Sequence, residues 1–151
     1  MERRLRARRR RRLSARRPVD ATRSHVMAAI RSRDTGPERF VRSLAHNLGY
    51  RFRPHRRDLP GTPDLAFPRL NAVVFVHGCF WHRHSCHAGG KQPRVNQKYW
   101  ERKFARNKER DRENRQALKH LGWRVLIIWE CQLRCPELIK KRLHTFLSAE
   151  K

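Results

Sequence analysis

Between Cys79 and Cys86 the chain places three well-spaced metal-ligand candidates within eight residues, in the order Cys79-x4-His84-x-Cys86, with His82 between them. Soft and borderline ligands packed this closely suit zinc, which takes four of them in a tetrahedral array. The fourth must come from elsewhere. Cys131 is the first choice, because it falls just past an apolar run that could pair beside the strand feeding the loop. Cys135 is the runner-up, and His82 and His87 are weaker donors. Four protein ligands leave no open position, so such an ion would be structural and would brace the loop with its two large rings, Phe80 and Trp81. Clustering with histidines, and the lack of a secretory apolar stretch, favour reduced thiols and metal over disulfides. Buried free cysteines are the plainer alternative.

A harder ligand set lies upstream. Asp64 follows Pro63 and opens one apolar stretch, and His77 closes the next, with His82 five residues on. One carboxylate at a strand end with an imidazole nearby is sparse, but magnesium keeps several waters and takes phosphate oxygens as ligands. In phosphodiester hydrolysis such an ion stabilises developing charge, and a histidine can take the proton from water. Alone, a Pro-Asp pair is more often a turn or a cap. Glu38 has two readings as well: a capping carboxylate, or a site residue if its helix start faces the metal.

The charge points to a polyanionic partner. The 151 residues hold 38 Lys+Arg against 13 Asp+Glu, a formal net charge of +25. Residues 1–17 alone carry ten arginines and one glutamate, yet the remainder still has 28 basic and 12 acidic residues. The folded part is itself basic, as DNA- or RNA-binding domains are. No apolar run approaches the ~20 residues of a membrane-spanning helix. The expected location is therefore the cytoplasm.

These groups need elements to hold them. Residues 1–17 read as a disordered Arg-rich arm, with a single domain over 18–151. Ala21 to Ser32 can form a short helix with Val26, Met27 and Ile30 on one face. Thr35-Gly-Pro-Glu38 is a capping box with proline at the first helical position, and Phe40, Val41, Leu44, Ala45 and Leu48 form the inward stripe behind it. Tyr50 to Pro54, Asp64 to Phe67 and Ala72 to Val76 read as strands, with a turn at Asp58 to Gly61 and a short hairpin connection at Arg69 and Asn71. Gln97 to His120 is a long, charged helix ended by Gly122, with Tyr99, Trp100 and Phe104 near its start. Trp123 to Trp129 is the most convincing buried strand. After Pro136, Leu138, Ile139, Leu143, Phe146 and Leu147 supply a last amphipathic helix. This order predicts an α/β fold with a central mixed β-sheet flanked by helices.

Several strings together resemble the very short patch repair (Vsr) mismatch endonucleases: Asp34-Thr35, Pro60-Gly-Thr-Pro-Asp64, His77-Gly-Cys-Phe-Trp-His82, Asn107-x2-Arg110-Asp111 and Gly122-Trp-Arg-Val-Leu-Ile-Ile-Trp-Glu-Cys131. Ala21-Thr-Arg-Ser24, with Met27 and Ile30 behind it, matches their amino-terminal segment. The likeness runs from about residue 20 to the carboxyl end. It implies a restriction-endonuclease-like fold and magnesium-dependent nicking on the 5′ side of the thymine in a T·G mismatch, left by deamination of 5-methylcytosine. It further implies a bacterial, nucleoid-associated monomer acting on double-stranded DNA. On matching positions, Asp64 becomes the magnesium-ligating aspartate, His77 a catalytic residue beside it, His82 the proton-transfer group supported by Asp111, and Glu38 a residue acting through metal-bound water. Cys79, His84, Cys86 and Cys131 match the zinc ligands. Phe80, Trp81 and Trp100 match rings that wedge into the duplex, where a wobble pair is cheaper to unstack. Met27 and Ile30 match a minor-groove helix. Val76 stands where the family usually has threonine; a magnesium ligand supplied by the backbone carbonyl survives that change, and one using the hydroxyl does not.

Two other readings compete. A nuclease of the same fold, homing-type or restriction-associated, would cut unmismatched DNA. A non-catalytic zinc protein would bind nucleic acid in a salt-sensitive way and cut nothing. Asp64, His77, His82 and Asp111 together argue against the latter, since a pure binder does not require them.

Overall fold

The computed structural model describes residues 33–149. The arginine arm and the Ala21 to Ser32 stretch, with Met27 and Ile30, lie outside the described residues.

Three strands form one sheet in the order β1-β2-β3: Leu65–Phe67 (β1), Ala72–His77 (β2) and Arg124–Trp129 (β3). β1 runs antiparallel to β2, whereas β3 is parallel to it with His77 opposite Trp129. The sheet is therefore mixed. A 3-10 turn at Pro68–Leu70 makes the β1–β2 connection, and Asn71 closes it in the left-handed conformation that asparagine tolerates. The parallel pairing needs a long crossover, supplied by the cysteine- and histidine-bearing loop after His77 and the helix Gln97–His120.

β2 explains its own apolar run, because both of its faces are covered. On one side Ala72, Val74 and Val76 meet the helices Gly36–Asn47 (α1) and Pro136–Ser148 (α3), through Val41, Leu44, Ala45, Ile139, Leu143 and Leu147. On the other, Val73 and Phe75 pack with Leu59, Ala66 and Leu118, the last from Gln97–His120 (α2). Helices thus flank both faces of the sheet. The Thr35 hydroxyl accepts from the Glu38 N–H at 3.4 Å, the N-cap half of the expected capping box; the Glu38 carboxylate accepts the Thr35 hydroxyl at 2.8 Å and the Asp34 N–H at 2.9 Å in place of the Thr35 N–H.

Three expectations are corrected. Tyr50 to Pro54 is not a strand: a single bridge, Arg53 to Ala66, survives, because Pro54 cannot donate to a ladder. β3 is less buried than β2, since it stands at the edge of the described sheet, and within it Ile128 alone is buried. Leu138 is 45% exposed; it lies off the face of α3 defined by Ile139, Leu143 and Leu147. α2 covers the expected residues but buries just Phe104 and Leu118, so nearly all its charge faces outward. None of the described helices is long and apolar enough to cross a membrane.

Candidate active site and metal centre

The loop after β2 leaves the sheet at Gly78 and doubles back at once, with His82 N–H donating to Gly78 O at 3.2 Å and His84 N–H to Cys79 O at 3.0 Å. This fold-back gathers Cys79, His84 and Cys86 against Cys131, whose backbone lies just past β3. The four ligand atoms lie within 4.8 Å of one another. Cys131 N–H reaches Cys79 Sγ at 3.3 Å, and Cys131 Sγ stands 3.5 Å from His84 Nδ1. Cys135 is exposed and outside the cluster, so parallel pairing selects between the two cysteines by carrying Cys131 to the loop. A one-turn helix, His87–Gly90, follows, and Gly89 is obligatory in it: a Cβ there would lie 1.9 Å from the His84 carbonyl oxygen.

Three thiols and an imidazole at this spacing form a donor set able to chelate a metal. Burial pushes the Cys79 thiol up to about 12. The His84 contact and the Gly89 N–H bring the Cys86 thiol down to about 6. A cation held among them would ionise the first and complete the second.

A second cluster forms at the end of β2. His77, 6% exposed, stacks on His82 with ring centroids 3.8 Å apart and planes 9° from parallel. Asp111 reaches in from α2, its Oδ2 2.5 Å from His82 Nδ1. Burial raises the Asp111 carboxyl, but the bond to His82 and the charges of His82, His77 and Arg110 together outweigh it, and the net direction is downward. A carboxylate on Nδ1 fixes the tautomer in which the other ring nitrogen is free to accept a proton. Burial first, then the neighbouring His82, pull His77 down to about 3, so its ring is neutral at ordinary pH. His77 Nδ1 is buried without a hydrogen-bond partner, an orphan that a water, a phosphate or a metal ligand sphere would satisfy.

Asp64 does not join that cluster. Its Oδ2 accepts the Val76 N–H at 2.7 Å, which docks it one residue from His77. Burial pushes its carboxyl up, the Val76 bond pulls it back and Glu38 adds to the rise, giving about 6. The other charges acting on it are His55 and Arg42. Glu38, 5% exposed, also belongs to this group: Arg42 Nη2 donates to it at 3.1 Å and Asp34 N–H at 2.9 Å. Glu38 also stands with Asp34 and His55 in a group of possible ligands, and its charge acts on Asp64, so it is more than a cap. Asp64, docked on Val76, and the cluster of His77 with His82 and Asp111 are thus joined through consecutive residues of β2.

Phe80, Trp81 and Trp100 come together with Phe104, at centroid separations of 5.2 to 5.9 Å. All three are half-buried and belong to neither core cluster. Lys103 lies 5.2 Å from the Trp81 and Trp100 ring centroids, and Asn107 Nδ2 holds the Trp81 carbonyl at 3.1 Å.

Two roles escape sequence reasoning. Trp129 stacks on His84 at 4.3 Å and meets His77 edge-on at 5.3 Å, so one ring abuts both clusters. Its place next to Cys131 is the signal that could have found it. Arg42 and His55 surround Glu38 with no motif to announce them.

A cleft of about 500 Å³ opens beside His77, His82, Asp111 and Trp129, with Lys108, Arg112 and Arg115 of α2 on its wall. A mixed sheet flanked by helices, with a thiol–imidazole cluster able to chelate a metal next to a basic cleft holding a histidine–aspartate pair, defines the class: an α/β protein with a candidate metal site beside a cleft suited to a polyanion.

Comparison with known proteins narrows this. The family model described as DNA mismatch endonuclease Vsr matches residues 19–88. The chain is 47% identical over 125 residues to the Type II nicking enzyme V.XorIIP of Xanthomonas oryzae pv. oryzae, covering 83% of this chain and 91% of that protein. It is 42% identical over 135 residues to the DNA mismatch endonuclease Vsr of Escherichia coli, covering 86% of each. With the Type II nicking enzyme V.NmeAIP of Neisseria meningitidis it shares 38% over 122 residues, 81% of this chain and 86% of the other. The chain belongs to this family of Vsr and Type II nicking enzymes, and membership supports nuclease activity on duplex DNA.

Proposed function

We propose that the protein is a magnesium-dependent, restriction-endonuclease-like enzyme that nicks one strand of duplex DNA, with a structural zinc ion at Cys79, His84, Cys86 and Cys131. The observation that carries this reading is the His82–Asp111 pair stacked against a neutral His77 in a basic cleft, one residue along β2 from the Asp64 dock. Asp64 and the Val76 carbonyl would hold magnesium, and Glu38 would order its waters. When bound, that ion would supply charge stabilisation at the phosphate.

The chain's own side chains do the rest. Asp111 holds His82 in the tautomer that accepts a proton from the attacking water. Neutral His77 offers its unpartnered Nδ1 to that water or to a phosphate oxygen. Phe80, Trp81 and Trp100, half-exposed and outside the core, would enter the duplex, and Met27 and Ile30 would contact the minor groove.

Two targets fit such an enzyme. Most of the matched relatives bear the name Type II nicking enzyme, which favours a restriction-associated nuclease acting at particular sequences. The His77-Gly-Cys-Phe-Trp-His82 string and the E. coli relative's name favour the T·G mismatch. End-labelled duplexes, one with a T·G pair and one fully paired in the same sequences, separate them when incubated with magnesium. Cutting of the mispaired duplex alone supports the mismatch target, and equal cutting of both supports the restriction-linked one. No strand cut in either, across a panel of sequences, would overturn the nuclease reading.

A further inference from the structure

The cleft beside His82 has a wall that the proton-transfer groups leave unused. Ala105, Lys108, Arg112 and Arg115 recur along α2 at three- and four-residue steps, so they share one helix face, and each lines the cleft. Exposed arginines on a helix face are ordinarily solvated charge. Here the two acidic residues of the wall are already taken. Asp111 is bound to His82, and Glu109 is paired with Arg112.

Arg115 has no carboxylate partner among the described residues. Its Nε donates to the Asp111 carbonyl at 3.4 Å, a long bond that leaves both terminal guanidinium nitrogens uncommitted. Its charge reaches His77, where it acts more strongly than that of Arg110. Arg115 thus places a permanent cation, with a fork shaped for phosphate, next to the stacked imidazoles.

We propose that Arg115 binds a non-bridging oxygen of the phosphodiester being cut, making it a substrate-contacting residue of the nicking reaction. The inference rests on the nuclease reading above. Hydrolysis forms a bond from a water oxygen to phosphorus and breaks one phosphorus–oxygen ester bond. The water proton passes to His82, and the ester oxygen departs with its electron pair and takes up a proton as an alcohol. Between these states negative charge builds on the non-bridging oxygens. A guanidinium fixed beside them lowers that barrier without exchanging a proton.

The test compares Arg115→Gln and Arg115→Lys with the unaltered protein in two measurements. In nicking at saturating duplex, Arg115→Gln should lower kcat ~100-fold with KM within a few fold, and Arg115→Lys should recover about tenfold of the loss. In binding, a neutral methylphosphonate at the mapped cleavage position should weaken Arg115→Gln less than the unaltered protein, by the same few-fold that Arg115→Gln adds to KM. Nicking by Arg115→Gln at the full rate would overturn the proposal. So would an equal methylphosphonate penalty in both proteins, or equal losses in both variants with lowered melting temperatures, which would mark a structural role. Failure of the unaltered protein to nick any duplex would instead remove the nuclease reading, and this inference with it.

Discussion

A carboxylate on one imidazole nitrogen fixes the tautomer and strengthens the other as a base, and Asp111 sits 2.5 Å from His82 Nδ1. Asp111→Asn keeps the shape but can present its amide N–H to Nδ1 and so favour the wrong tautomer. Nicking should fall ~10²- to 10⁴-fold, with stability within ~1 kcal/mol of the parent, as single-turnover rates and denaturant unfolding would record. Asp64 makes the opposite kind of claim. Its folded value of about 6 lies above the ordinary 3.8, so the folded state holds this proton more tightly than the unfolded chain does. In metal-free protein, stability from this group is present below pH 4, falls as pH rises towards 6, and stays lost above. Asp64→Asn keeps an acceptor for the Val76 N–H without the buried charge. It should be ~1 to 2 kcal/mol more stable than the parent at pH 8, equal to it at pH 4, and inactive in nicking. Equal unfolding curves at pH 8 would count against the burial of that charge. At this scale the sequence names Asp64, His77, His82 and Asp111 through spacing and family likeness. It hides Arg42, His55 and Arg115, because isolated cations on polar helices and loops look the same whether solvated or facing a site.

Elements carry the metal-ligand choice. β3 runs parallel to β2, so the residue just past its end arrives beside the loop that follows β2. Cys131→Ser should therefore lower bound zinc from one per chain towards none and depress the melting temperature by several degrees, whereas Cys135→Ser should change neither. Metal analysis with thermal melting checks both. Gly89→Ala should disturb the same loop without removing a ligand, since its Cβ meets the His84 carbonyl. Helix starts, glycine stops and the fully covered strand β2 were legible as periodicity. Tyr50 to Pro54 and the edge position of β3 were not, because apolar content does not reveal which strand finds a neighbour on each side.

For the molecule as a whole, charge sets the partner and spacing alone could not set the target. Binding to duplex DNA should weaken steeply with salt, and removing residues 1–17, with their ten arginines, should make the slope of log K against log salt shallower by several units. Titrations at graded salt would show it; an unchanged slope would mean the arm makes no phosphate contacts. The composition declared a nucleic-acid partner from the outset. The nearness of Asp64 to the strand end at His77 was legible from their places in two successive apolar stretches; its means, a carboxylate docked on the Val76 N–H rather than within the His77, His82 and Asp111 cluster, was not. Whether both groups serve one phosphate is most directly tested by a manganese-substituted crystal of the protein with nicked duplex. Anomalous scattering should place the ion on the Asp64 carboxylate, with the nicked phosphate within one water of both His77 and His82. An ion bound away from Asp64, or a phosphate out of reach of both imidazoles, would contradict the account.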